Sequence, residues 1–425
     1  MLSIQFIREN ADLVRDAMRR RHEDVPIAEI IELDVTRRQL LAEVETLRAR
    51  RNDVSREIGR LKGDPAAIQR VRDEMRAVGD RITVDEASIA DVDGRIRSRL
   101  LEVPNLLDSS VPDGESEDDN IVVDSWGEPR DLPFPARAHW DLGPALDGID
   151  FDRGVKLSGS RFYLLRGAFA RLQRGLINWL IDLHVREHGY VEINVPYLVK
   201  REVLVGSGQL PRFAGNLYHD DESDLWLIPT AEVALANVYA DEIIEPGRLP
   251  ISMVSYTACF RREQAASGRD TRGIKRGFQF DKIEMFKIIE PGADEAALAE
   301  MVAHAGDCLR KLDLPYRVKL LCAADTGFHS AKTFDLEVWS PGVNEWLEVS
   351  SCSTVKDFQS RRAALRYRRE PGARTEFPYE LNGSGLGIPR TMIAIIENYQ
   401  RSDGSIEVPE VLRPYVGMDE VTAPA

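Results

Sequence analysis

The residues with the clearest chemical potential lie between positions 261 and 282. Seven of them are basic, against three acids: Arg261, Arg262, Arg269, Arg272, Lys275, Arg276 and Lys282 oppose Glu263, Asp270 and Asp281. Guanidinium groups keep their charge and bind phosphate oxygens through two parallel hydrogen bonds. Such a basic surplus, in a chain of net charge −15, predicts a phosphate-binding loop. A solvated basic loop explains the composition about equally well.

The strands predicted on either side of this loop would bring further groups into one pocket. Successive side chains of a strand point to opposite faces. Arg261 and Glu263 therefore share a face of one strand, and Phe280 and Glu284 share a face of the next. If both faces point inward, the pocket combines a cation for phosphate, a flat ring for a base and two carboxylates.

Two later stretches carry groups that suit a nucleotide and its metal ion. Glu348, Ser350 and Ser351 end a predicted strand and offer the hard oxygen ligands that Mg²⁺ prefers. Arg390 begins a predicted helix, where the helix dipole already favours an anion. The chain contains neither GxGxxG nor GxxxxGK[ST]. The combination therefore predicts ATP bound on a sheet without either of these common loops.

The elements that must position these groups form a predicted α+β domain over residues 136–425. The strand-like segments are 190–195, 225–228, 251–260, 277–289, 316–321, 333–339 and 345–350. Helical periodicity marks 162–188, 295–312 and a last helix from Arg390. Runs of strands with helices beside them favour a central antiparallel sheet flanked by helices. Residues 106–135 are acidic and rich in Pro, Gly and Ser, which indicates a linker.

An N-terminal domain, residues 1–105, is predicted to contain a long antiparallel two-helix coiled-coil arm. Apolar residues recur at heptad spacing from Leu33 to Leu61 and again from Ile68 to Ile96, as mirror images about Gly63-Asp64-Pro65. The two helical segments, residues 33–62 and 66–100, together carry a net charge of +3, while the remainder carries about −18. Either a dimerisation coiled coil or an arm that contacts an anionic partner would explain this hairpin.

The global composition narrows the possible classes of protein. Of 425 residues, 43% are hydrophobic and 30% charged, which is typical of soluble globular proteins. No run of about 18 apolar residues and no signal or transit peptide is recognisable, so we expect a cytoplasmic protein without a membrane partner. Four cysteines without CxxC spacing and seven scattered histidines give no reason to expect a structural zinc site.

These motifs resemble those of the class II aminoacyl-tRNA synthetases, and in particular the seryl-tRNA synthetases of the bacterial type. Gly189-Tyr190 with Pro196 resembles motif 1, Phe260-Arg261-Arg262-Glu263 with Phe280 and Glu284 resembles motif 2, and NGSGLGIPR at 382–390 resembles motif 3. Three further stretches resemble the seryl enzyme specifically: Thr230-Ala231-Glu232, SGQLP at 207–211 and EVSSCS at 348–353. The N-terminal helical hairpin is itself a hallmark of that family.

The resemblance implies a serine–tRNA ligase, which activates L-serine with Mg-ATP and transfers the seryl group to the 3′ end of tRNA(Ser) and tRNA(Sec). It implies catalytic roles for Arg261, Glu348 and Arg390. The implied ATP site comprises Arg261, Arg262, Glu263, Phe280, Glu348, Val349, Ser350, Ser351 and Arg390, with Glu348 and Ser351 as Mg²⁺ ligands. The implied serine site comprises Thr230, Ala231, Glu232, Arg261, Glu284, Asn382 and Ser384.

The resemblance also implies a homodimer that holds the tRNA across both subunits through the helical arm. The implied tRNA contacts are Arg48 and Arg51 in the arm and Arg269, Arg272, Lys275 and Arg276 in the basic loop. The sequence departs from the family pattern at Phe278, where the family has His, at Thr354-Val355, where it has Asn-Cys, and at Arg262, where Ser is common.

Two other interpretations stay open on the sequence alone. A carrier-protein aminoacyl ligase would share the catalytic fold, but the long N-terminal hairpin argues against this class. A non-catalytic tRNA-binding paralogue would keep the hairpin, but it has no use for the full set of Arg261, Glu263, Glu284, Glu348 and Arg390.

Overall fold

The computed structural model describes residues 1–58, 65–264 and 272–423. The chain separates into two units, Leu2–Pro104 and Asn105–Ala425, and Met1 belongs to the second unit. In the described part, no helix has the length and apolar character that crossing a bilayer requires.

The first unit is built from helices that bury one apolar seam. They are α1 (Ile4–Glu9), α2 (Ala11–Arg20), α3 (Ile27–Ile58) and α4 (Pro65–Glu102). Helices α3 and α4 pack against each other through buried Val44, Val78 and Ile82. Arg48 Nη2 reaches Glu86 Oε1 from one helix to the other at 2.6 Å. The antiparallel coiled-coil arm is confirmed, while its predicted turn at 63–65 lies largely outside the described residues.

The second unit is a layered α+β fold. Its strands are β1 (Ile121–Trp126), β2 (Ile149–Asp150), β3 (Leu164–Leu165), β4 (Val191–Glu192), β5 (Leu198–Lys200), β6 (His219–Asp220), β7 (Leu225–Leu227), β8 (Ile243–Ile244), β9 (Ile251–Phe260), β10 (Gln279–Ile289), β11 (Tyr316–Leu320), β12 (Lys332–Ser340), β13 (Glu345–Lys356), β14 (Arg366–Tyr367), β15 (Tyr379–Gly387), β16 (Ile406–Glu407) and β17 (Glu420–Val421). Its helices are α5 (His139–Ala145), α6 (Phe151–Ser158), α7 (Gly167–Arg186), α8 (Arg201–Ser207), α9 (Glu232–Leu235), α10 (Asp294–Lys311), α11 (Phe358–Arg362), α12 (Ile388–Asn398) and α13 (Arg413–Val416).

Eight strands form the main sheet in the order β1-β11-β12-β13-β15-β10-β9-β4. Every neighbouring pair is antiparallel except β4 with β9. Helices α7, α10 and α12 pack their apolar side chains into the core that lies against this sheet. Helix α12 is buried on nearly all sides, because Ile393, Ile395 and Ile396 all have no exposed surface. The predicted antiparallel sheet flanked by helices is confirmed.

The structure adds to the main sheet two strands that the sequence did not predict. Strand β1 lies within residues 106–135, the predicted linker, and pairs with β11 at the sheet edge, so this stretch is part of the second unit. Strand β15 contains the Asn-Gly-Ser-Gly run and lies between β13 and β10. Glycine is needed there because a Cβ on Gly383 would lie 2.7 Å from Met301 Sδ, and one on Gly385 would lie 2.5 Å from His184 Nε2.

Candidate active site

A cavity of about 660 Å³ opens over the central strands of the second unit. It brings together most of the residues that the sequence nominates: Thr230, Glu232, Arg261, Glu263, Lys275, Arg276, Phe280, Glu284, Glu348, Val349, Ser351, Asn382, Ser384 and Arg390. These side chains come from β10, β13, β15 and the starts of α9 and α12, and from residues that follow β9 or precede α9 and β10. The cavity has the size and the mixed polar lining of a site for a small polar ligand.

One end of the cavity is lined by the cations expected to meet phosphate. Arg261 continues from β9, and its guanidinium lies 5.0 Å from the centre of the Phe280 ring, while its Nε donates to the carbonyl of Pro229 at 3.1 Å. Arg390, in the first turn of α12, donates from Nη1 to the Glu348 carbonyl at 2.8 Å. The same nitrogen lies 3.0 Å from Glu348 Oε2. Backbone and carboxylate contacts thus hold both arginines in place.

Oxygen ligands suited to a divalent cation gather beside these arginines. Burial opposes ionisation of Glu348, but the charge and hydrogen bond of Arg390 outweigh it, so the pKa of this carboxyl lies below its ordinary value. Asp335 lies opposite Ser351 in the β12–β13 register. Its Oδ1 is buried and has no hydrogen-bond partner among the described residues. Burial, and then the charge of Glu348, raise the pKa of Asp335 well above its usual range.

The other end of the cavity holds two buried carboxylates. Glu284, on β10, accepts a hydrogen bond from Thr230 Oγ1 at 2.9 Å and contacts the ammonium of Lys282. Burial raises the pKa of Glu284, and Lys282 offsets only part of that effect. Glu232, at the start of α9, lies 3.2 Å from His329 Nε2. Burial again opposes its ionisation, but His329 outweighs it, so the pKa of Glu232 is lowered.

Three residues that the sequence predicts for the ATP and serine sites do not line the cavity. Arg262 lies on the outward face of the chain, with its guanidinium 5.0 Å from the Tyr218 ring centre, because it alternates with Arg261 and Glu263. Ser350 is buried and donates its hydroxyl to the Ser384 carbonyl at 2.6 Å, so it joins β13 to β15. Ala231 is fully buried in the core around α9.

The residues nominated for tRNA contact fall into two groups. Arg48 and Arg51 lie exposed on α3 of the first unit. In the second unit, Lys275 pairs with Glu345 at 2.6 Å, and Arg276 lies 3.7 Å from Glu263. The Arg272 guanidinium lies 4.7 Å from the centre of the Trp140 ring. Arg269 lies outside the described residues.

Sequence reasoning gave no role in the ATP or serine site to several side chains that line the cavity, among them Lys282, His329 and Asp335. Lys282 could have been found, because it lies two positions before Glu284 on one strand and therefore on the same face. His329 and Asp335 had no such signal, since they reach the cavity only through the pairing of distant strands. Phe278, where the family has His, packs edge-on against Phe162 at 5.8 Å.

Comparisons with known proteins cover the whole chain. The model of the tRNA synthetase class II core domain (G, H, P, S and T) matches residues 214–399, and that of the seryl-tRNA synthetase N-terminal domain matches residues 1–107. A serine–tRNA ligase of Thermomicrobium roseum is 56% identical over 98% of this chain and 94% of its own length. One of Chloroflexus aurantiacus is 56% identical over the full length of both chains.

Among solved structures, too, the chain is similar to seryl-tRNA synthetases. The crystal structure of seryl-tRNA synthetase from Pyrococcus horikoshii complexed with ATP superposes with a TM-score of 0.96 at 33% identity and covers 100% of both chains. The cytoplasmic serine–tRNA ligase of Naegleria fowleri in complex with AMP superposes with a TM-score of 0.89 at 30% identity, over 100% of this chain and 99% of its own.

Proposed function

Since this chain belongs to the seryl-tRNA synthetase family of class II ligases, we propose that its cavity activates L-serine with Mg-ATP and passes the seryl group to the 3′ end of tRNA(Ser). One observation carries the assignment of the site. A single cavity joins Arg261 and Arg390, two fixed cations for phosphate, to the Thr230–Glu284 pair, which can bind an ammonium and a hydroxyl. Full-length similarity to serine–tRNA ligases supports this proposal over the carrier-protein ligase, and the gathering of Arg261, Glu263, Glu284, Glu348 and Arg390 in one cavity supports it over the non-catalytic paralogue.

In this proposal, ATP binds between the arginines and Phe280. The adenine stacks on Phe280 and donates its amino group to Glu263, while Arg261 contacts the α-phosphate and Arg390 the γ-phosphate. What supports this is the position of the Arg261 guanidinium over the Phe280 ring, which places a cation beside a base-stacking surface. Neither step of the reaction needs a covalent enzyme nucleophile, so positioning and charge neutralisation supply the acceleration.

The residues beside Arg390 fit a magnesium ion. Glu348 and Ser351 would hold it, and the unpartnered buried Oδ1 of Asp335 adds a third hard oxygen from the adjacent strand. A bound Mg²⁺ would neutralise charge on the phosphates. Among the described residues, no group of three or more His, Cys, Asp or Glu side chains is arranged to hold a metal by itself.

The serine end uses the second set of side chains. Glu284 and Thr230 bind the ammonium and hydroxyl of serine, Asn382 and Ser384 complete the pocket, and Arg261 orients the carboxylate. The serine carboxylate attacks the α-phosphorus, pyrophosphate leaves, and the terminal ribose hydroxyl of the tRNA then takes the acyl group. A site that hydrogen-bonds a hydroxyl rejects an analogue lacking it by a factor of about 10⁴–10⁵, so alanine should be excluded.

The proposal extends to tRNA binding and assembly. We place the tRNA across a cytoplasmic homodimer, with Arg48 and Arg51 of the arm on its body and the loop of Arg272, Lys275 and Arg276 guiding its acceptor end. The support is electrostatic: the arm carries a net charge near +3 in an acidic chain. By family resemblance, tRNA(Sec) is proposed as a second acceptor.

The experiment that tests this function is ATP–pyrophosphate exchange, measured separately with each amino acid, followed by charging of tRNA(Ser). We expect exchange with serine alone, and we expect Arg261→Ala to reduce it by more than about 100-fold. Arg262→Ala is the matched control, because it removes a neighbouring guanidinium that does not line the cavity. Faster exchange with another amino acid, or full activity in Arg261→Ala, would refute the assignment.

A further inference from the structure

We propose that His329 is a positioning residue for serine recognition, which holds one oxygen of Glu232 so that the other faces the amino acid. This inference rests on the proposed function. His329 lies in the loop between β11 and β12, far from the serine-binding stretches in sequence, and its side chain lines the same cavity.

Three donors converge on a single oxygen of Glu232. His329 Nε2 lies 3.2 Å from Oε1, Gln359 Nε2 donates to it at 2.6 Å, and Asn382 Nδ2 donates to it at 3.2 Å. A carboxylate oxygen offers two lone pairs, so three donors saturate Oε1. Oε2 keeps its acceptor capacity for a ligand in the cavity. The Glu232 carboxylate is therefore fixed in orientation, with Oε1 fully hydrogen-bonded and Oε2 available to a ligand.

The charge of the pocket gives His329 a second effect. Glu232 is only 5% exposed and shares the cavity with Glu284. Two buried carboxylates in one site oppose each other's ionisation, and an isolated buried charge is costly. Lys282 pairs with Glu284, and His329 pairs with Glu232. Each carboxylate thus has its own partner that favours its ionised form.

The main chain around His329 is anchored as a positioning role requires. Asn105 donates one amide hydrogen to the His329 carbonyl at 2.9 Å and the other to the Val355 carbonyl at 2.8 Å. This bridge ties the loop to the end of β13.

The geometry also fixes which ring nitrogen of His329 donates the hydrogen bond to Glu232. An ionised carboxylate only accepts hydrogen bonds, so His329 Nε2 must carry the hydrogen that points at Glu232. The Nδ1 atom is buried and has no hydrogen-bond partner among the described residues. A glutamine side chain places its amide nitrogen close to the position of Nε2, whereas leucine fills similar space without a donor. His329→Gln and His329→Leu therefore separate the hydrogen bond from the packing.

The test measures the KM for serine and the KM for ATP by pyrophosphate exchange, with direct calorimetric titration of serine as a readout independent of turnover. We expect His329→Leu to raise the KM and Kd for serine by about 10-fold or more, as loss of a charge-assisted hydrogen bond predicts. Its KM for ATP should stay within about 2-fold, and His329→Gln should recover serine binding to within about 3-fold of the wild type.

Three results would overturn the inference: unchanged serine binding in His329→Leu, an equal rise in both KM values, or a glutamine variant as impaired as the leucine variant. None of these results touches the proposed function, which is tested separately by serine-dependent pyrophosphate exchange in the wild-type enzyme and in Arg261→Ala.

Discussion

Mild acid should destabilise the second unit through one buried imidazole, that of His184. This side chain is fully buried on α7, where Nε2 lies 2.8 Å from the Gly385 carbonyl and Nδ1 lies 3.0 Å from His188 Nδ1. Burial lowers the pKa of His184 from 6.5 to about 3, and the hydrogen bond to Gly385 offsets only part of that effect. The native state therefore keeps this ring neutral at pH values where the unfolded chain protonates it.

The sign and size of the effect follow from proton linkage. Above pH 6.5 both states are neutral and His184 has no influence on stability. As the pH falls below 6.5, the unfolded state binds a proton that the native state does not, so the free energy of unfolding decreases until the folded pKa is reached. Between pH 7 and pH 5 the loss from this one group is about 2 kcal/mol.

Urea unfolding followed by tryptophan fluorescence measures the stability of the second unit, which contains His184, because all six tryptophans lie beyond residue 104. His184→Gln keeps a side-chain donor for the Gly385 carbonyl but cannot titrate. We expect the wild type to lose about 2 kcal/mol more than this variant between pH 7 and pH 5. His219→Gln, at a surface position, controls for loss of a histidine. Parallel losses in the wild type and His184→Gln would refute the reasoning.

Three further predictions concern the arm, the serine pocket and the glycine strand. Deleting residues 33–100 should abolish charging of tRNA(Ser) while serine-dependent pyrophosphate exchange stays within a few-fold of the full-length enzyme; loss of both would contradict separate roles for the units. Glu284→Gln should raise the KM for serine about 10- to 100-fold and cost about 3–5 kcal/mol of unfolding free energy, because it leaves the buried ammonium of Lys282 without its partner; an unchanged KM would contradict its place in the pocket. Gly383→Ala should cost about 1–3 kcal/mol of unfolding free energy, because its Cβ would lie 2.8 Å from Cys352 Sγ. Gly79→Ala in α4, with nothing within 4 Å of its Cβ, is the control and should be stabilising by up to about 1 kcal/mol.

The parts of the fold that could be predicted are those whose pattern is local. The mirrored heptads of the arm give the partner of each seam position, and the structure packs Leu47 and Ile82, one of the mirrored pairs, into the same apolar cluster. The stripe of Leu172 and Leu176 on α7 follows from helical spacing alone. In such segments one periodicity decides the structure, because no alternative buries the same side chains.

The parts that could not be predicted depend on neighbours in space. Strand β15 is rich in glycine, serine and asparagine, which favour loops, and only the side chains of Met301 and Cys352 explain why glycine is required at 383. Glu348 and Ser351 both line the cavity although they are three positions apart on one strand, because β13 carries a register shift that pairs Leu336 with Ser350 and Glu337 with Glu348. A bulge of this kind turns side chains to another face and leaves no trace in the spacing of one strand.

The two ends of the cavity differ in how firmly their charges are paired, and this difference matches the ligand that we propose for each end, serine at one and triphosphate at the other. At the serine end, the Glu284 side chain is 1% exposed and that of Lys282 is 11% exposed. Removing either partner from such a buried pair typically costs about 3–5 kcal/mol, so the pocket keeps its shape and can discriminate by geometry. At the phosphate end, the side chains of Arg390 and Glu348 are 22% and 45% exposed. A pair this exposed contributes at most about 1 kcal/mol. A triphosphate, with several negative charges, can therefore compete successfully with Glu348 for the guanidinium of Arg390. The carboxylate that it displaces would then be free to bind the magnesium ion that accompanies the triphosphate.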